Sequence, residues 1–230
     1  MTGVGSAPGL CLFDLDDTLL PIDSDHAWGE FVVRLGWVDE AGFRRRNDAF
    51  YADYKAGRLD IHAYIDFATG PLRLRAPAEV QAAHARFMAE VIGPQLRPPA
   101  LGLVREHQAR GDLCALVTAT NDFITAPIAR AFGIEALIAV RLERAAGGTI
   151  TGRIDGTPSY REGKVARVGE WLAGQGRDFA DFGRISVYSA SLNDLPLLER
   201  ATDPVATNPS TALESLARER GWRILRLFEE

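Results

Sequence analysis

Asp14 and Asp16 stand directly after a four-residue apolar run, Leu10-Cys11-Leu12-Phe13. Such a run reads as a buried parallel strand, so both carboxylates lie at a strand's carboxyl end, where open α/β sheets bind their ligands. Acids crowded there repel one another, and a hard divalent cation relieves the repulsion. Mg²⁺, with oxygen ligands and substrate phosphate, is the natural occupant. The plainer reading makes Asp14-Leu15-Asp16-Asp17-Thr18-Leu19 a turn whose acids cap a helix and bind nothing. A second clue comes from the bases: of 26 Lys and Arg residues only two, Lys55 and Lys164, are Lys. Where an Arg-rich chain keeps Lys, a compact point charge is worth looking for.

Other short apolar runs supply the sheet those acids need. Leu113 to Val117 stops at Thr118, Arg184 to Tyr188 stops before Ser189, and Pro204 to Ala206 and Trp222 to Leu227 extend the series. Helical patterning at Phe123 to Phe132, Gly163 to Leu172, Leu195 to Ala201 and Ser210 to Arg220 separates them, as βαβ units require. About 100 residues part the first two strands, where a βαβ unit needs roughly 30. The excess, residues 21–99, reads as an inserted four-helix cap: Asp25 to Leu35, Glu40 to Ala56, Asp60 to Phe67 and Pro77 to Ile92. Gly36, Gly57, Gly70-Pro71 and Gly93-Pro94 are its breaks. Leu137 to Leu142 and Thr149 to Ile154, around Gly147-Gly148, predict a β-hairpin. The expected division is a core of residues 1–20 and 100–230 with a cap of 21–99.

Composition narrows the function classes. The 230 residues are 47% hydrophobic and 25% charged, with a formal net charge of −5. That suits a soluble globular protein and offers no field to gather nucleic acid or an anionic membrane. No apolar stretch reaches the ~18 residues of a membrane span, and no signal-peptide pattern opens the chain, so a cytoplasmic protein is expected. Cys11 and Cys114 sit in apolar runs without metal-ligand spacing and read as buried free thiols. Every apolar face is needed for the core, so the pattern leaves the oligomeric state open.

Taken together, these segments resemble the haloacid dehalogenase-like (HAD) phosphatase superfamily. Asp14-Leu15-Asp16-Asp17-Thr18-Leu19 is similar to its first motif, DxDxT. Thr118 ends a second strand, and Lys164 opens a helix. Ser189-Ala190-Ser191-Leu192-Asn193-Asp194 is similar to GDSxND, and the helical insertion resembles the phosphoserine-phosphatase-like branch. The resemblance implies a Rossmann-like α/β core with helices on both faces and a Mg²⁺-dependent phosphomonoesterase acting on a small metabolite, such as phosphoserine or histidinol phosphate. In that scheme Asp14 is the nucleophile that forms an aspartyl-phosphate, and Asp16 is the acid and base. Thr118, with Ala119 and Asn193, holds phosphate, and Lys164 balances charge. The implied metal set is Asp14, the Asp16 carbonyl, and water held by Asp194.

Ala190 breaks the pattern, because the family places a metal-binding Asp there. Losing even an outer partner of a metal costs ~10–100-fold. The intact residues around this single change favour a substitution that cripples an active enzyme, and an inactive phosphate-binding or regulatory homologue is the competing reading. A receiver-like domain phosphorylated on Asp14 would share the acidic strand end but not the cap. Asp23, nine residues after Asp14, either meets a substrate amine or caps the first cap helix with Ser24 and Asp25. Arg44-Arg45-Arg46 reads as a solvated helix face, and His62, His84 and His107 lack ligand spacing. Phe50, Tyr51 and Tyr54 read as cap packing, and Lys55 matches no motif.

Overall fold

The computed structural model describes residues 9–228. Its strands are β1 (Leu10–Phe13), β2 (Leu113–Asn121), β3 (Ala136–Val140), β4 (Leu142–Arg144), β5 (Ile150–Ile154), β6 (Ile185–Ser189), β7 (Asp203–Thr207) and β8 (Arg223–Leu225). Six of them form one parallel sheet in the order β3-β2-β1-β6-β7-β8. The order reverses at β1: the chain builds outward through β2 and β3 on one side and through β6, β7 and β8 on the other. That reversal opens a crevice at the strands' carboxyl ends, and Asp14 leaves β1 into it.

Helices α1 (Ser24–Arg34), α2 (Glu40–Lys55), α3 (Ile61–Arg73) and α4 (Pro77–Phe87) come between β1 and the helix leading to β2, α5 (Pro98–Ala109). After β2 come α6 (Asp122–Ala131), α7 (Glu162–Ala173), α8 (Leu195–Leu198) and α9 (Thr211–Arg220). Alternation along β1 shows why both faces of the sheet are covered. Cys11 and Phe13 join one core with residues of α5 and α6, and Leu10 and Leu12 join another with α7, α8 and α9. The expected α/β sheet with helices on both faces is therefore present. The first core continues into the cap helices, so one apolar mass holds cap and sheet together.

Several local expectations need correction. Residues from 137 to 140 are not a hairpin arm: they belong to β3, paired parallel to β2, and the hairpin is β4 with β5. The apolar run Ala136–Val140 carries the signature of a strand covered on both faces rather than the alternation of a hairpin arm. Helix α3 runs past the Gly70-Pro71 break to Arg73. Thr69, Pro71 and Leu72 are buried there, and that burial outweighs the hydrogen bond the proline removes. The fourth cap helix is α-helical only to Phe87 and continues as a π-helical turn, Met88–Ile92. Helix α5, opened by Pro98-Pro99, escaped the sequence reading, and the helix expected over Leu195 to Ala201 is a single turn. Cys11 is buried as expected, whereas Cys114 is only half-buried, and both thiols are free.

Trp28 joins α1 to the rest: its ring meets Phe31, Phe87 and Phe123 at centroid distances of 5.7, 5.1 and 5.6 Å. Trp28→Ala is expected to cost ~3–5 kcal/mol of unfolding free energy in urea titrations. Trp28→Phe should cost less, because it keeps an aromatic face and removes an indole N–H that is buried without a partner. Equal costs would contradict a role in packing.

Candidate active site

Lys164 is wholly buried, and its ammonium lies between two carboxylates, 2.8 Å from Asp14 Oδ1 and 2.7 Å from Asp194 Oδ2. Gly163 allows α7 to begin where it does: a Cβ there would lie 2.0 Å from the Pro158 carbonyl oxygen. Burial pushes the Asp14 carboxyl up, Lys164 pulls it down and Asp194 pushes it up again, leaving it at about 6. Thr18 Oγ1 donates to Asp14 Oδ2 at 2.9 Å and accepts from the Ala190 N–H at 3.0 Å. Ser189 Oγ donates to Asp194 Oδ2 at 2.8 Å. The other oxygen of Asp194, Oδ1, is buried with no hydrogen-bond partner.

Asp16 points the other way, toward the cap. Its Oδ1 accepts from the Ser24 N–H at 2.7 Å and its Oδ2 from Thr120 Oγ1 at 2.8 Å. Burial, then the charge of Asp23, holds its carboxyl well above the ordinary carboxylate range. Neighbouring carboxyls whose surroundings shift them by different causes can take different parts in acid–base chemistry. Asp16 also lines a small cavity beneath the cap, with Asp23, Asp25, Tyr54, Tyr64 and Ala119 among its walls. None of the described residues lining that cavity is Lys or Arg.

On its other side Asp16 lines an open groove, shared with Lys55, Arg161, Ala190 and Asn193. Three polar contacts tie the cap to the core along this groove. Asn193 Nδ2 donates to the Tyr54 carbonyl at 2.9 Å, Lys55 Nζ to Asp17 Oδ2 at 2.9 Å, and Arg161 Nη1 to the Gly57 carbonyl at 3.3 Å. Among the described residues no three His, Cys, Asp or Glu side chains cluster so as to hold a metal ion. At this site Ala190 contributes a methyl group and no side-chain oxygen. What remains still suits a hard cation: Asp14, the Asp16 carbonyl and the unpartnered Asp194 Oδ1 are all oxygens, and Mg²⁺ usually keeps several waters.

Residues 11–199 match the family model of the haloacid dehalogenase-like hydrolases. The chain belongs to that family. It is 43% identical over 216 residues, 94% of this chain and 97% of the relative, to a histidinol-phosphatase of Neisseria meningitidis. It is 30% identical over 215 residues, 92% of this chain and 68% of the relative, to a phosphoserine phosphatase of Mycobacterium tuberculosis. A crystal structure of a protein of unknown function from Bordetella pertussis Tohama I superposes with a TM-score of 0.91 at 51% identity, covering 97% of this chain and 100% of that one. A substrate-bound phosphoserine phosphatase shares the fold, with a TM-score of 0.68 at 18% identity over 96% of this chain and 93% of that one.

In this hydrolase the predicted residues gather at one end of the sheet. Asp14, Lys164 and Asp194 are in direct contact, and Thr118 follows in register, since β1 sets Phe13 beside Leu116. The Thr118 hydroxyl accepts from the Thr120 N–H at 3.1 Å. Asp23 Oδ1 caps α1 through the His26 N–H at 2.7 Å, and Asp23 also lines the cavity. Phe50 packs on Tyr64 and Phe67 within the cap, as expected, yet Phe50, Tyr51 and Tyr54 also wall the cavity. Arg44 pairs with Glu30 and Glu40 on the helix surface, away from the site. Buried His107 bonds Asp112 and Tyr188, each at 2.7 Å. Sequence reasoning gave no role to Thr18, Thr120, Ser189 or Tyr64. The first three stand inside the quoted motif segments, and only Tyr64 carried no signal.

Two outcomes follow from these charges. Lys164→Met leaves two buried carboxylates facing each other and is expected to cost ~3–5 kcal/mol in denaturant unfolding; an unchanged midpoint would contradict the ion-pair geometry. Burial, then Asp23, pushes the Asp25 carboxyl up to about 8. The folded chain therefore holds a proton that the unfolded chain releases near the ordinary carboxylate value of ~3.9. Stability from this group is full below that value and falls as pH rises toward 8. Asp25→Asn removes the decline, so in thermal melts its advantage over the parent should widen from pH 5 to pH 8. A constant difference would contradict the burial.

Proposed function

We propose that the chain is a phosphomonoesterase for a small amino-alcohol phosphate of the histidinol phosphate type, with one metal ligand removed by Ala190. The observation that carries this reading is the buried Lys164 ammonium, which holds Asp14 and Asp194 beside an orphaned carboxylate oxygen. In this reading residues 21–99 are the cap over a core of 1–20 and 100–230, and substrate lies between them.

Asp14 attacks phosphorus in line with the leaving oxygen, and its carboxylate takes the phosphoryl group as an aspartyl-phosphate. Asp16, whose carboxyl burial and then Asp23 raise well above the ordinary range, gives its proton to the departing alkoxide and then takes one from the water that attacks the intermediate. Thr118, with its neighbouring backbone N–H groups at Ala119, and Asn193 hold phosphate oxygens. Lys164 supplies a compact positive charge beside the carboxylates. Mg²⁺, held by Asp14, the Asp16 carbonyl and water on Asp194, would draw charge from the phosphoryl oxygens when bound. The cap keeps bulk water from the leaving group.

The cavity chemistry favours amino alcohols over amino acids. A substrate carboxylate would enter a space lined by Asp16, Asp23 and Asp25 with no Lys or Arg among the described lining residues, and an unpaired buried charge is costly. A substrate ammonium instead meets carboxyl oxygens that can accept its hydrogen bonds. Similarity to a histidinol-phosphatase across nearly the whole chain agrees with this choice. Ala190 supports one other reading, a phosphate-binding or regulatory homologue without turnover.

Restoring the ligand decides between them. Ala190→Asp is expected to raise Mg²⁺-dependent phosphate release from histidinol phosphate by at least ~10–100-fold, with phosphoserine turned over more slowly and a chelator abolishing both. A folded Ala190→Asp protein that hydrolyses no phosphomonoester in the presence of Mg²⁺ would overturn the enzymatic reading and leave the binding protein.

A further inference from the structure

The phosphoryl-transfer chemistry leaves one buried acid of the cavity without a task. Asp25, in the first turn of α1, is 6% exposed and lines the cavity beneath the cap. The fold does not require its charge, because Asp23 rather than Asp25 caps the helix. Its partners are weak ones for a carboxylate. The Asn121 amide stands 3.4 Å from Oδ1, and Tyr64 lines the same cavity. Among the described residues no cation pairs with it. A carboxyl in such a place is costly to keep unless something that enters the cavity repays it.

The surroundings say what could. Asp16 lines both the cavity and the open groove, whereas Asp23 and Asp25 line the cavity alone. A leaving group whose oxygen lies at Asp16 and whose body enters the cavity therefore shares that space with Asp23 and Asp25. The walls there are aromatic and aliphatic, with Phe50, Tyr51, Ile61 and Tyr64 among them. Aromatic faces around a buried carboxyl suit a flat, basic ring, which gains stacking and cation–π contact from the walls and a charged hydrogen bond from the acid.

We propose that Asp25, with Tyr64 beside it, forms a subsite for a basic heteroaromatic ring at the end of the leaving group remote from phosphate, and that this subsite sets the substrate preference. The proposal rests on the phosphatase reading for the position of the phosphate. It adds that one acid serves the amine, Asp23, and another serves the ring, Asp25. A site built to bond a ring nitrogen rejects an analogue that lacks it, because its own buried polar group is then left unpaired.

Two phosphate-free amino alcohols separate the contributions: L-histidinol carries an amine and a basic ring, and L-phenylalaninol carries the same amine and a ring without nitrogen. In calorimetric titrations of the full chain, histidinol is expected to bind at least about tenfold more tightly than phenylalaninol. Asp25→Asn should remove that preference while leaving phenylalaninol affinity within about twofold. Tyr64→Phe, which keeps the aromatic wall, should lose part of it. The proposal is overturned if the parent shows no preference for the basic ring, if neither alcohol binds, or if folded Asp25→Asn keeps the preference. These readouts involve no turnover. They can fail while Ala190→Asp hydrolyses phosphomonoesters, and they can succeed when it does not.

Discussion

An ammonium with no water around it needs anions at contact distance, and Lys164 has two of them, Asp14 and Asp194. The constraint reaches through the whole chain. Asp14 must leave β1, Asp194 must follow β6, and Lys164 must enter from α7, so these three elements are held to within ångströms of one another. A single buried charge left over would cost several kcal/mol. The close approach of Gly163 to Pro158, the parallel register of β1 with β6 and the Thr18 bridge between Asp14 and the Ala190 N–H all serve that meeting.

Around this centre the acids differ by environment rather than by type. Asp14 feels a neighbouring ammonium and is held at about 6. Asp16 is buried beside Asp23, which holds its carboxyl well above the ordinary range. Asp25, deeper beneath the cap, is raised to about 8 by burial. Carboxyls whose surroundings push their proton affinities apart can take different chemical parts. Ala190 beside them offers no side-chain oxygen, and Asp194 Oδ1 has no hydrogen-bond partner.

Much of this was legible in the chain itself. Continuous apolar runs mark β1 and the start of β2, because strands covered on both faces show no alternation, and Asp14 and Thr118 follow those runs directly. Scarcity singled out Lys164 among Arg residues. What stayed hidden depends on contacts between distant segments. Lys55 looked unremarkable, yet it bonds Asp17 across the cap–core boundary. Asn193 reads as a phosphate ligand, yet its amide also holds the Tyr54 carbonyl. Gly70-Pro71 predicts a helix end, but burial of Pro71 and Leu72 carries α3 onward. Tyr64 gave no signal, since a cavity wall and a core position look alike in sequence.

The central claim is that the buried Lys164 centre makes Asp14 a nucleophile toward phosphorus. Its most direct test is to quench Ala190→Asp protein during turnover of histidinol phosphate, reduce the acyl phosphate with borohydride and map the peptides by mass spectrometry. Reduction converts a phosphorylated aspartate to homoserine, so the account predicts homoserine at position 14 and nowhere else. Turnover with Asp14 unmodified, or with the label on Asp16, would contradict it.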